Sequence, residues 1–195
     1  LEVGHPPGAP LFMVLGRLFS FFAGGEDAAV WINRLSGLSS SLTILFMFWS
    51  LTLLIKKIIL KTRLELSNGD KVAIFGGAAI GSLAYAFTES FWFSAVEGEV
   101  YAMSSLFTAA IFWAILRWDE EMGQVRRGMI VKGYSPDRWL LLIMFMLGLA
   151  VGVHLLGILV VPAIAFVIYF RYTEKVSLEG IMITGEQTIV ILGFI

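Results

Sequence analysis

Hydrophobic positions along this chain come in long blocks, not in alternating stripes. Residues 35–55 contain no charged side chain, and residues 72–96 and 101–118 contain one each, Glu89 and Arg117. A helix needs roughly 20 apolar residues to cross a bilayer core, so each block predicts one membrane span. The block from Trp139 to Phe170 is different. As a single helix rising 1.5 Å per residue it would measure roughly 48 Å, against about 30 Å of hydrocarbon. Gly152 and His154 sit at its middle and Pro162 follows. The length therefore predicts a hairpin of two short helices, 139–153 and 155–170, turning near His154. A further span starts at about 187 and runs to 195. Leu11 to Ala23 is apolar but only about thirteen residues long, and Gly16 and Arg17 interrupt it. Within an outer segment 1–34, that length predicts an interfacial or re-entrant helix. The predicted fold class is all-α: one polytopic transmembrane helical bundle over 1–195.

Charge gives the blocks a direction. Lys56, Lys57, Lys61, Arg63 and Lys71 gather around one loop, in which Asn68-Gly69 marks a turn. Arg117, Arg126, Arg127, Lys132 and Arg138 lie in or beside a second polar stretch, "DEEMGQVRRGMIVKGYSPDR", which reads as a loop. Arg171 and Lys175 follow the hairpin, and only Arg17 and Arg34 fall on the other side. The positive-inside rule makes the basic loops cytoplasmic, and the topology closes only with the hairpin. His5, Glu26, Asp27, Arg34, Glu97, Glu99 and His154 then share the outer face.

Composition agrees. Of 195 residues 58% are hydrophobic and 15% charged, where a soluble domain carries about 25% charged residues. Mean hydropathy is +0.84. A net charge of -1 with no basic face excludes nucleic acid as a partner, and the lack of cysteine excludes disulfides and thiolate chemistry. The chain begins without Met or a basic signal region and stops inside "TIVILGFI". The expectation is a fragment cut at both ends.

Five places carry candidate chemistry. In "GHPPGAP", Pro6 and Pro7 hold His5 extended, and Pro10 suits a first helical turn. The corner either presents an imidazole at the membrane surface or only stiffens the start of a helix. Glu97 and Glu99 stand at a span boundary with no basic residue between them. They either bind a cation, a sugar hydroxyl or a cationic partner, or form a wet loop. Glu89 lies about two helical turns below Glu97, inside a predicted span, where a carboxylate is expensive and points to function unless it is paired within the bundle. His154 at the hairpin turn is a ligand or a polar cap for the turn. Arg34 binds a phosphate or snorkels to the interface. A zinc site from His5, His154 and a Glu lacks any supporting short spacing such as H-E-x-x-H. "GAAIG" (Gly77 to Gly81) and "GLAVG" (Gly148 to Gly152) fit the small-xxx-small rule for close helix contact, and Ser36, Ser40 and Thr43 are placed to hydrogen-bond across an interface. There is no phosphate-binding glycine loop and no GxSxG elbow.

Four stretches together carry a resemblance: "GHPPGAPLF", "NRLSGLSSSLTILF", "SFWFSAVEGEVYAMSSLFTAAIFWAILRW" and "GLAVGVHLLGILVVPA". In this order the chain, from Val3 to about Phe170, resembles a bacterial family of many-span membrane proteins long labelled as of unknown function. That family is related to protein O-mannosyltransferases and belongs to the GT-C class of glycosyltransferases. The resemblance implies an enzyme that takes a sugar from a polyprenyl-phosphate carrier and passes it to an extracytoplasmic acceptor, a protein hydroxyl or a glycan. It implies that His5, Pro6 and Pro7 form a wall of the active site, that Glu97, Glu99 and Tyr101 form an acidic-Tyr motif at the outer end of a core span, and that His154 stands where relatives often place Lys against the carrier phosphate. It implies a catalytic carboxylate upstream of Leu1, so the catalytic residue itself is not assigned here. No cofactor is firmly implied, although a divalent metal is compatible. The implied location is the bacterial inner membrane with the site facing the periplasm or exterior. Two other classes stay open: a transporter or flippase using Glu89 as its intramembrane ionisable group, and a non-catalytic membrane subunit.

Overall fold

The computed structural model describes residues 8–24, 27–129 and 135–193, and among these every regular element is helical. Helix α1 (Pro10–Ser20) starts with Pro at its first position, and Gly8 before it takes φ 83, a left-handed conformation that suits a residue without Cβ. Helix α2 (Ala28–Ile59) has 32 residues and is the longest element. Helix α3 (Asn68–Ala86) opens on a capping box in which Ser67 and Asp70 satisfy each other's backbone N–H groups. Arg63 closes that corner with 2.7 Å contacts to both carboxylate oxygens of Asp70.

The block 72–96 is not one straight span. Helix α3 ends at Ala86, Thr88 is extended, and helix α4 (Glu89–Val96) leaves at an angle of 67°. Neither Gly nor Pro marks the joint, so continuous hydropathy hid it. Helix α5 (Val100–Arg126) instead runs on well past Trp118. The acidic stretch read as a loop is helical, because Glu, Met, Gln and Arg are good helix formers. The helix stops at Gly128, φ 71, where the amides of Gly128 and Met129 return to the carbonyls of Val125 and Gln124 in a Schellman motif.

Helix α6 (Arg138–Val151), a 3₁₀ segment (Leu155–Val160) and helix α7 (Val161–Tyr172) make up the block 139–170. The start of α6 and the end of α7 both lie against the C-terminal part of α5: Trp139 Nε1 donates to Glu121 at 2.8 Å, and Arg171 Nε to Asp119 at 2.6 Å. The turn between them sits at the other end of α5, where the His154 and Tyr101 rings meet. Helix α8 (Leu178–Gly193) begins nine residues before the expected 187 and packs on α7.

The main core joins α5, α6, the 3₁₀ segment and α7 through Ile111, Ile115, Trp118, Ile143, Val160 and Ile164. A smaller cluster of Phe12, Leu35, Met103 and Val153 fastens α1 across the Tyr101 end of the bundle. Helix α3 lies against α2 through the expected glycines. A Cβ at Gly81 would stand 3.0 Å from Leu51 Cδ1 and one at Gly77 3.2 Å from Ile55 Cδ1, whereas Gly76 faces open space. We expect Gly81→Val to destabilise the bundle by about 1–3 kcal/mol through overpacking, with Gly76→Val close to neutral, as measured by unfolding in detergent. In "GLAVG" only Gly152, at the end of α6, meets another helix, where a Cβ would stand 3.4 Å from Leu11 Cβ of α1; nothing stands within 4 Å of a Cβ at Gly148.

The serine face of α2 also differs from expectation. Ser36, Ser40 and Thr43 are buried, yet Thr43 bonds the carbonyl of Ser39 in its own helix, and the hydroxyls of Ser36 and Ser40 meet no acceptor among the described residues. Thr43, like Ser39, falls back on the preceding turn of its own helix, and no hydroxyl of this face bonds across helices among the described residues.

Candidate functional site

The Tyr101 end of the bundle brings several predicted residues together. Glu97 ends α4 and Glu99 is the N-cap of α5, both in extended backbone, with Glu97 half-buried and Glu99 exposed. Gly98 between them lies against the first turns of α2: a Cβ there would fall 2.8 Å from Asn33 Oδ1 and 3.0 Å from Ile32 Cγ2. The close approach pins both carboxylates beside the start of α2. Tyr101, two residues after Glu99, meets His154 with ring centroids 5.5 Å apart.

His154 caps the 3₁₀ segment. Its Nδ1 accepts the amide N–H of Leu156 at 3.1 Å. A nitrogen that accepts carries no proton, so the neutral ring holds its hydrogen on Nε2, free to donate. Thus the side chain is a cap and still offers one donor. Two residues back, the Gly152 carbonyl accepts from the Leu11 amide at 2.9 Å, which ties α1 to the hairpin turn.

Arg34 does not join this group through an ion pair among the described residues. Its guanidinium stacks on Trp31 of its own helix at 4.4 Å. Glu89 sits on the first turn of α4, at the broken joint, where the helix N-terminus favours a negative charge. It is exposed and shares a recess with Phe87, Trp92 and Phe93. His5, Pro6 and Pro7 lie outside the described residues, as does Glu26. No three of His, Asp and Glu converge on a possible metal position among the described residues.

A groove that the sequence reading missed runs from Tyr101 and Leu156 down between α2 and α5 to Leu54. It encloses about 480 Å³. Its walls are mostly apolar, with Met47, Leu51 and Phe112, but the hydroxyl-bearing residues Thr43, Ser50, Ser104, Ser105, Thr108 and Tyr85 are spaced along it. Ser50 Oγ is buried and makes no hydrogen bond among the described residues. The signal was available: Thr43 and Ser50 on α2, like Ser104 and Thr108 on α5, recur at helical spacing.

Among the described residues, three helical segments are long and apolar enough to cross a membrane, four if the bent pair α3–α4 counts as one span. The molecule is a multi-pass helical membrane protein. Over residues 1–177 it matches the family described as Protein O-mannosyl-transferase TMEM260 N-terminal domain, and the chain belongs to that family. Glycosyl transfer is the activity class this description carries. No curated protein and no solved structure is a match.

Proposed function

We propose that this chain forms part of the membrane core of a GT-C-class mannosyltransferase of bacterial inner-membrane type. Its donor is a polyprenyl-phosphate sugar and its acceptor a protein hydroxyl on the extracytoplasmic side. The observation that carries the reading is the meeting, at one end of the bundle, of Glu97, Glu99, Tyr101 and His154 in a chain that belongs to a mannosyltransferase family. The groove opening at Tyr101 has the apolar walls an isoprenoid tail requires. At its mouth the Tyr101 hydroxyl and His154 Nε2–H are donors for the carrier phosphate, whose negative charge grows as it leaves. Glu99 accepts from hydroxyls of the sugar or the acceptor, and the half-buried Glu97 supports it.

A transporter reading has one observation in its favour, the ionisable Glu89 at a break between two helices. Two variants of the full-length protein separate the readings. Glu99→Gln is expected to lower kcat/KM for mannose transfer by about 10- to 100-fold, the loss of one hydrogen bond to a charged group, with membrane insertion unchanged. Glu89→Gln is expected to leave transfer within about twofold, in the range of an exposed surface change. Unaltered transfer in Glu99→Gln sinks the site. No mannose transfer by the wild type, together with solute movement across the membrane that Glu89→Gln abolishes, supports the transporter.

A further inference from the structure

At the opposite end of α5 a second cavity, of about 490 Å³, opens between α2, α5 and α7. Six cationic side chains line it: Lys56, Lys57, Lys61, Arg126, Arg127 and Arg171. Among the described residues only two carboxylates, Asp119 and Glu120, line the cavity with them. Asp119 takes Lys57 at 2.5 Å and also Arg171, while Glu120 takes Lys56 at 2.6 Å. Three cations are thus committed to the acids and three are surplus. Arg127 donates to the Gly123 carbonyl, and Lys61 and Arg126 make no ion pair among the described residues.

Cations do collect at helix C-termini, and α2, α5 and α7 all end here. That preference explains their presence at one level of the bundle. It leaves unexplained why three separate helices aim them into one recess, where like charges repel. An anion in the recess offsets the repulsion. The other wall is apolar, formed by Leu53, Leu60, Leu116 and Met129. Lys56 directly follows the uncharged run 35–55, so the recess stands at the depth of a membrane surface, where a phosphate and the first carbons of an acyl chain lie side by side.

We propose that this recess binds the phosphate headgroup of an anionic phospholipid. Lys61, Arg126 and Arg127 supply the surplus charge, and the ion pairs on Asp119 and Glu120 hold Lys56, Lys57 and Arg171 behind them. The site is at the other end of the bundle from Tyr101 and does not depend on the mannosyltransferase reading.

The test uses the full-length protein in a neutral detergent, with short-chain phosphatidylglycerol titrated against the wild type and the triple variant Lys61→Gln/Arg126→Gln/Arg127→Gln. Binding is read as retained lipid by native mass spectrometry and as a rise in melting temperature. Each cation near a headgroup is worth about fivefold in affinity, so the triple variant should bind on the order of 100-fold more weakly. Phosphatidylcholine and inorganic phosphate at the same concentrations should give no rise in wild type. Equal phosphatidylglycerol binding by wild type and variant overturns the proposal. So does a rise of the same size with phosphatidylcholine, which marks general lipid packing, or with inorganic phosphate, which marks a site for a soluble anion. All three replaced side chains are exposed, so folding should be unchanged. If the triple variant does not elute as wild type does, Arg126→Gln alone carries the test with the fivefold expectation.

Discussion

Asp119→Ala should weaken the bundle by about 3–5 kcal/mol, the largest effect expected of any single substitution here. The Asp119 carboxylate is 8% exposed and receives Lys57 from α2 and Arg171 from α7. A second contact binds the same arginine, whose Nη2 donates to the Asp119 carbonyl at 2.5 Å. Arg171 itself is only 16% exposed. Removing the acid leaves a largely buried guanidinium with its carboxylate gone, and this uncompensated charge dominates the cost. Lys57→Ala should cost no more than about 1 kcal/mol, because that side chain is 57% exposed and already solvated. Replacing both members, Asp119→Leu with Arg171→Met, should recover most of the loss, as apolar groups of similar volume need no partner. Unfolding in detergent with denaturant measures all three. Equal losses for Asp119→Ala and Lys57→Ala would show that the pair with Arg171 is not what holds α7 to α5.

Gly98→Val should separate function from stability. The new Cβ falls within 3.0 Å of Ile32 Cγ2, and a β-branched isoleucine has few rotamers with which to yield. Asn33 can turn aside; Ile32 cannot without moving α2. Strain of about 1–3 kcal/mol is therefore relieved in the short link that carries Glu97 and Glu99. A shift of about 1 Å in groups that position a substrate can cost 10²-fold in rate. The expectation is a kcat/KM for mannose transfer lower by about that factor, with a modest fall in melting temperature. A variant with normal transfer would remove the Glu97–Glu99 link from the site.

How much of this could be read from sequence depended on the range of the interaction. Long apolar runs marked α2 and α5, since crossing a membrane is a matter of length and apolarity. Lys and Arg placement put Lys56, Arg126 and Arg171 at one level and left Glu99 and His154 at the other. The helix Asn68–Ala86 and its continuation looked like one span because the 67° joint at Phe87 and Thr88 changes direction without changing hydropathy. The acidic run after Trp118 looked like a loop because charge was taken as solvent exposure. In fact Asp119 and Glu121 are buried, as partners for residues 52 and 18 positions later. The pairing of Tyr101 with His154 and the convergence of cations around Lys61 join distant segments. No local pattern encodes them; only the packing of α5 against the hairpin and α2 does.

The central claim is mannose transfer from a lipid carrier at the Tyr101 end. The most direct measurement supplies the full-length protein, reconstituted in liposomes, with radiolabelled polyprenyl-phosphate mannose or with GDP-mannose, together with a peptide acceptor rich in Ser and Thr. We expect label on the peptide from the lipid-linked donor only, released by alkaline β-elimination as an O-linked sugar requires. Label from GDP-mannose alone, or no labelled peptide from an inserted and folded protein, would contradict it.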